Sequence, residues 1–145
     1  MISYHTDDFK MPCFPKRKIS TWIKQTAAQY QCKTGDISYV FCSDKKIREL
    51  NNEYLSHDYF TDIITFDYTE NGLIAGDIFI SVDTVHSNAI KYGVPFGNEL
   101  YRVIIHGILH LCGKKDKTTA ARKAMNQCEN EALHRLYNEI LTVIT

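Results

Sequence analysis

Apolar residues recur along the chain with two periods, and the switches between them mark its elements. Residues 2–6 predict a short strand. Over residues 16–32, Ile19, Trp22, Ile23, Ala27 and Tyr30 fall at the spacing of one helix face. Residues 35–43, GDISYVFCS, open on a turn signal and then alternate, as a half-buried strand does. Ser43 or Asp44 can cap the next helix, DKKIRELNNEYL, in which Ile47, Leu50 and Tyr54 share a stripe. TDIITFDY, at 61–68, is rich in β-branched and aromatic residues and predicts a strand. ENG is a turn, and LIAGDIFISV, at 73–82, predicts the strand that pairs with it. DTVHSNAIKYG then predicts a short helix capped by Asp83 and closed by Gly93.

The next helix differs in kind. NELYRVIIHGILHLCG has Asn98 as its N-cap and Gly113 as its stop, and it is apolar almost all round. A helix of that pattern is buried. TTAARKAMNQCENEALHRLYNEILTVI follows as one long terminal helix, capped by Thr118 or Thr119. No repeat, low-complexity tract or linker interrupts the series, so residues 1–145 read as a single domain. Its class is α+β, with about four strands in one sheet covered by about five helices.

Composition adds limits. With 145 residues and a mass of 16.7 kDa, the chain is long enough for one sizeable core. No apolar run approaches the roughly 18 residues that span a bilayer, and the first residues lack the basic-then-apolar pattern of a signal peptide. Five cysteines with no CxxC pair argue against a disulfide scaffold and for a reducing interior, so the expected location is cytoplasmic. The 17 basic and 17 acidic residues cancel, which removes any global attraction to nucleic acid. Locally the balance shifts. Residues 61–100 carry six acids against Lys91, whereas residues 101–145 carry seven bases against four acids. Lys114, Lys115 and Lys117 in that basic run form either a solvated face or a positive rim suited to a phosphate-bearing ligand.

The chemistry concentrates in HGILHLCGKKD, residues 106–116. His106 and His110 are one helical turn apart and point the same way from a buried helix. Burying an unsatisfied polar group costs about 2–7 kcal/mol in apolar surroundings, so the two rings need partners. They are either hydrogen-bonded core histidines or metal ligands. Gly107 keeps one flank of the helix small enough for another backbone or a ligand to approach. Gly113 lets the chain leave through a left-handed conformation, so that Asp116 can fold back to the histidines. Two histidines and one carboxylate make three ligands for a divalent metal and leave a coordination position free, as catalytic sites do. The His spacing equals that of the zinc-protease motif HExxH. However, Gly107 stands where that motif has its general base, which argues against peptide hydrolysis.

These residues resemble the YbeY-type ribosomal RNA maturation factors, a family of metal-dependent single-strand endoribonucleases. The family signature H-G-x-L-H-L-x-G-[aromatic]-D-H corresponds to residues 106–116. Its segment L-N-x-x-[F/Y]-R-x-x-D-x-P-T-[D/N]-V-L-S-F corresponds to residues 50–66, and its G-D-I-x-I-S strand to residues 76–81. The resemblance implies a small mixed sheet with helices around it, a metalloprotease-like core without the catalytic Glu. It implies an endoribonuclease of small-subunit ribosomal RNA 3′-end maturation and ribosome quality control. One divalent metal, zinc as the leading assignment, is held by His106, His110 and Asp116. Lys114 and Lys115 are further candidates at the site. The implied partners are single-stranded RNA, ribosomal proteins and a ribosome-associated GTPase, with no membrane. The alternatives are a ribosome-assembly factor with a structural metal, or another metal-dependent hydrolase.

Two departures stand out. Lys115 and Asp116 replace the family's Asp-His pair, so the third ligand becomes a carboxylate, a harder donor than imidazole. Leu55 replaces an Arg, which removes a bidentate phosphate clamp and leaves Lys114, Lys115 or Arg102 to supply charge. Among the remaining candidates, His57 beside Asp58 could approach the site, and Asp77 could support a ligand histidine. His5, His86 and His134 read as structural or solvated, and Cys112 faces away from the histidine pair.

Overall fold

A computed structural model describes residues 1–55 and 61–142 and arranges them as a four-stranded sheet with helices on both faces. In chain order the elements are β1 (Ile2–Thr6), α1 (Lys16–Gln29), β2 (Lys33–Cys42), α2 (Asp44–Leu55), β3 (Ile63–Asp67) and β4 (Leu73–Ser81). They continue with α3 (Val82–Tyr92), α4 (Phe96–Leu111) and α5 (Thr119–Arg135), and a π-helical turn at Leu136–Ile140 ends the series. The α+β expectation therefore holds. The strand order is β1-β2-β4-β3. β1, β2 and β4 run parallel, while β3 pairs antiparallel with β4, with Ile63 opposite Ile80 and Asp67 opposite Gly76. The sheet is mixed because β3 returns to β4 through a tight turn. Asn71 and Gly72 both adopt positive φ there, 53° and 76°, which suits an Asn-Gly pair.

Alternation decides what each face buries. Ile37, Tyr39 and Phe41 of β2 and Ile74, Ile78 and Ile80 of β4 face α1, α4 and α5, forming the main core with Trp22, Leu100, Ile104 and Ile108. The opposite face is smaller, with Cys42, Ile47, Leu50 and Ile64 packed beside Phe66 and Phe79 under α2. Two buried polar side chains tie the layers together. Trp22 Nε1–H donates to the Ala132 carbonyl at 2.8 Å, and the Tyr39 hydroxyl donates to the Ile104 carbonyl at 2.8 Å. All five cysteines are free thiols. No helix among the described residues is long and apolar enough to cross a membrane.

Several boundaries differ from the sequence expectation, among them the start of β2, which lies at Lys33 and takes in the Gly35-Asp36 turn signal. The α3 cap is Ser81, whose hydroxyl accepts from the Thr84 amide at 3.2 Å, so Asp83 lies inside the first turn. The Asp83 carboxylate accepts instead from the Asp44 amide at 3.0 Å, while the Asp44 carboxylate accepts from the Ser81 and Thr84 hydroxyls. These reciprocal bonds clamp the start of α2 to the start of α3. α4 begins at Phe96 after Pro95 rather than after Asn98, because proline's fixed φ favours the approach to a helix. Asn98 is released to accept from the Tyr137 hydroxyl. The terminal helix is not continuous to the end, since α5 stops at Arg135 and the chain widens into the π turn.

Two glycines permit close approaches, one between neighbouring strands and one between helix and sheet. A Cβ on Gly76 would lie 2.3 Å from the Phe66 carbonyl oxygen on β3, closer than van der Waals contact allows. A Cβ on Gly107 would lie 3.0 Å from Ile78 Cδ1 and 3.2 Å from Ile63 Cδ1. The close approach expected at Gly107 is therefore made by sheet side chains and not by a ligand. Gly76→Ala should push β3 off β4 and lower the unfolding free energy by about 1–3 kcal/mol, read from chemical denaturation at constant m-value.

Candidate metal centre

α4 is apolar on nearly every side. Leu100, Val103, Ile104, Ile105, Ile108, Leu109 and Leu111 are buried, and only one strip of the helix opens to a cleft. His106 and His110 occupy that strip with ring centroids 4.7 Å apart. The helix ends in two bonds: the Gly113 amide donates to the His110 carbonyl at 2.9 Å and the Lys114 amide to the Leu109 carbonyl at 3.0 Å. That pairing with a left-handed residue between is the Schellman closure, and Gly113 supplies the left-handed φ of 94°. The reversed chain carries Asp116 back over the helix end. Asp116 Oδ2 lies 3.3 Å from His106 Nε2 and 3.3 Å from His110 Nε2. One ligand atom from each of these three residues fits within 4.8 Å of the others.

His106 is also held from behind. Its Nδ1–H donates to Glu129 Oε2 of α5 at 2.6 Å, which fixes the tautomer and turns the Nε2 lone pair toward Asp116. The other Glu129 oxygen accepts from Arg102 at 2.8 Å, and the second Arg102 nitrogen donates to Asn130 Oδ1 at 2.6 Å. Glu129 is only 5% exposed, so its charge depends on these two partners. Burial lowers the His106 pKa, but the Glu129 hydrogen bond and charge, followed by Asp116 and Asp62, outweigh it, and the net direction is upward. Burial raises the Asp62 carboxyl, and the His106 charge offsets only part of that rise. Burial likewise raises Glu99, with Asp62 adding to the effect. This field of carboxylates favours a cation at the point where the imidazoles and Asp116 meet.

The donor set fits a single divalent ion. Tetrahedral coordination with bonds of about 2.0–2.1 Å requires ligand atoms about 3.3–3.4 Å apart. The two His–Asp separations already have that value. The three atoms border a cleft of about 510 Å³, whose lining includes Asn51, Asp62, Thr65 and Lys117. A group bound there would have a coordination side open to the cleft.

The other expected residues are dispersed. Lys117 lines the cleft, but the Lys114 ammonium sits 4.7 Å from the Tyr30 ring centroid and Lys115 is exposed. Arg102 is committed to Glu129 and Asn130. Asp77 does not support a histidine; it accepts from the Tyr68 hydroxyl at 3.1 Å on the exposed side of the sheet. His86 stacks on Phe96, His134 is bonded to Asn138, and His5 to Ser3. Cys112 lies against Cys32, away from the histidines. His57, Asp58 and the Leu55 side chain fall outside the described residues. Sequence reasoning missed Glu129. Its signal was an acid in the apolar stripe of α5, between buried Met125 and Ala132.

A four-stranded mixed sheet supports a buried helix whose two imidazoles and a returning carboxylate could hold a metal ion. The chain belongs to the family described as Endoribonuclease YbeY, whose model matches residues 2–137. It is 54% identical over 138 residues to the Endoribonuclease YbeY of Parabacteroides distasonis, covering 95% of this chain and 97% of that one. The Phocaeicola vulgatus protein of the same name is 56% identical over 133 residues, with 92% and 96% covered. A Thermotoga maritima protein solved in solution shares the fold with a TM-score of 0.61 at 24% identity, covering 93% of this chain and 91% of that chain.

Replacing Glu129 by Gln should leave the site shape but remove the charge that orients His106. Metal affinity should fall about 10–100-fold, measured by competition with a chromogenic chelator. An unchanged affinity would remove Glu129 from the site.

Proposed function

We propose that this protein is a metal-dependent endoribonuclease that cleaves single-stranded RNA, with His106, His110 and Asp116 as the ligands of one divalent ion. The observation that carries the ligand assignment is that two Nε2 atoms each lie 3.3 Å from one carboxylate oxygen on a cleft, all three within 4.8 Å of one another. Membership of the Endoribonuclease YbeY family supports the reaction class, hydrolysis of RNA phosphodiester bonds. A donor set of two imidazoles and one carboxylate favours zinc over larger oxygen-seeking cations.

His106, His110 and Asp116 would hold the ion, which would supply Lewis-acid polarisation of a phosphoryl oxygen and activation of water. The protein groups do the rest. His106 and His110 keep their Nε2 lone pairs aimed together, the first through Glu129. Asp62 lines the same cleft with a carboxyl raised by burial, and it can accept and return a proton there. Lys117 on the cleft rim attracts a phosphate as a point charge. The wider assignment is maturation of the 3′ end of small-subunit ribosomal RNA and ribosome quality control in the cytoplasm. Ribosomal proteins and a ribosome-associated GTPase are the expected partners, and the family resemblance is the support for both statements.

His110→Ala removes one donor at a half-exposed position, so the domain should remain folded by circular dichroism. Retained metal, measured by elemental analysis after dialysis, should fall to background, and cleavage of labelled single-stranded RNA should be lost. A chelator should abolish wild-type cleavage, and added zinc should restore it. Wild-type protein that retains no metal, together with a His110→Ala variant that cleaves RNA at the wild-type rate, would sink the proposal.

A further inference from the structure

Next to the metal cleft lies a second and larger groove of about 860 Å³, bounded by α3, α4, α5 and the π turn. Asp62 lines both cavities. Arg102, on the groove side, precedes His106 by one helical turn, about 6 Å along the axis. The reading of the metal site does not use this groove, although its size is that of a ligand pocket.

The lining has an unusual chemistry. Five asparagines reach it, Asn88, Asn98, Asn126, Asn130 and Asn138. Three already use one end of their amides. Asn98 and Asn130 accept through Oδ1 from Tyr137 and Arg102, which leaves NH₂ donors. Asn138 donates to the His134 carbonyl at 2.8 Å, which leaves an Oδ1 acceptor. Asn88 and Asn126 have no side-chain hydrogen bond among the described residues. The groove thus offers both donors and acceptors.

Two tyrosines complete it. Tyr92 is 58% exposed and Tyr137 41%, so each offers ring surface to the groove. Tyr137 is positioned by its hydroxyl bond to Asn98 and by an edge contact with Tyr101 at 6.3 Å. The Lys91 ammonium lies 5.7 Å from the Tyr92 ring centroid, so a base stacking on that ring displaces it, and the carboxyls of the lining disfavour a phosphate. The groove carries Asp62 and Glu99, and its guanidinium, Arg102, is already paired with Glu129.

We infer that this groove binds an unstacked nucleobase of the RNA strand, next to the phosphate held at the metal centre. Planar rings beside amides that both donate and accept are how proteins read single-stranded bases, by stacking on the face and hydrogen bonding at the edge. The acidic lining suits the exocyclic amines of a base and leaves the phosphates to the Lys117 side. The position relative to the scissile bond rests on the nuclease reading; base binding itself does not.

The test uses fluorescence anisotropy of a labelled single-stranded oligoribonucleotide, with chelator present so that binding is read without cleavage. A second probe has the same backbone but abasic sites. Wild-type protein should prefer the base-bearing strand. Tyr92→Ala should weaken that binding about tenfold and Asn126→Ala about threefold, with abasic binding unchanged. Both positions are exposed, so neither variant should disturb folding. Equal loss for both probes, or base-bearing RNA bound by Tyr92→Ala as by wild type, would overturn the inference. Cleavage after metal is restored separates the two claims. RNA that binds with base preference but stays uncut removes the nuclease reading and keeps the groove. RNA cut with an unchanged KM in both variants removes the groove and keeps the nuclease.

Discussion

One buried carboxylate holds the functional side of this molecule together. Glu129 is nearly inaccessible, and its two oxygens serve two residues of a different helix, His106 at 2.6 Å and Arg102 at 2.8 Å. Leaving such a charge without partners would cost several kcal/mol, so α5 cannot slide along α4 without a large penalty. The same contact sets the His106 tautomer. Helix packing and ligand orientation are therefore one constraint. Any displacement of α5 turns the ring that must face Asp116.

That constraint works because α4 is fixed on its other sides. Its apolar flanks are sealed against the sheet, and the absence of a side chain at Gly107 lets the helix settle onto Ile78 and Ile63. Gly76 does the same within the sheet, where β3 approaches β4. The Tyr39 hydroxyl, bonded to the Ile104 carbonyl, adds a polar pin between β2 and the helix just before the first histidine. With the backbone held this firmly, the middle and end of the helix reach solvent through the strip carrying Arg102, His106 and His110. The Gly113 closure then returns the chain over it.

Much of this was legible in the sequence because it depends on local pattern. Period-two and helical spacing located all four strands and five helices, and the apolar girdle of α4 announced its burial. The His106–His110–Asp116 set was readable from i, i+4 geometry and a glycine stop. What was not readable depends on pairing between distant elements. Glu129 is 23 residues from His106, and only the packing of α5 makes it a partner. The start of α4 was missed because Asn98 has good capping chemistry, yet its amide is taken by Tyr137, a contact from the far end of the chain. Lys114 looked like part of the site from its neighbours in sequence. The Schellman reversal that brings Asp116 in leaves Lys114 over Tyr30.

The missing protease base has the same geometric origin. At Gly107 the Cβ direction points to Ile78 and Ile63, into the sheet, so a glutamate there would be buried among methyl groups and could not face the cleft. The position is small because the fold needs it small. The carboxyls that line the cleft come from other elements: Asp116 from the turn, and Asp62 and Asp67 from either end of β3. A helix that gives up its own acid to pack more closely on a sheet leaves the cleft's carboxyls to other elements. Asp62, the residue proposed for proton transfer, borders the cleft on one side and the amide-lined groove on the other.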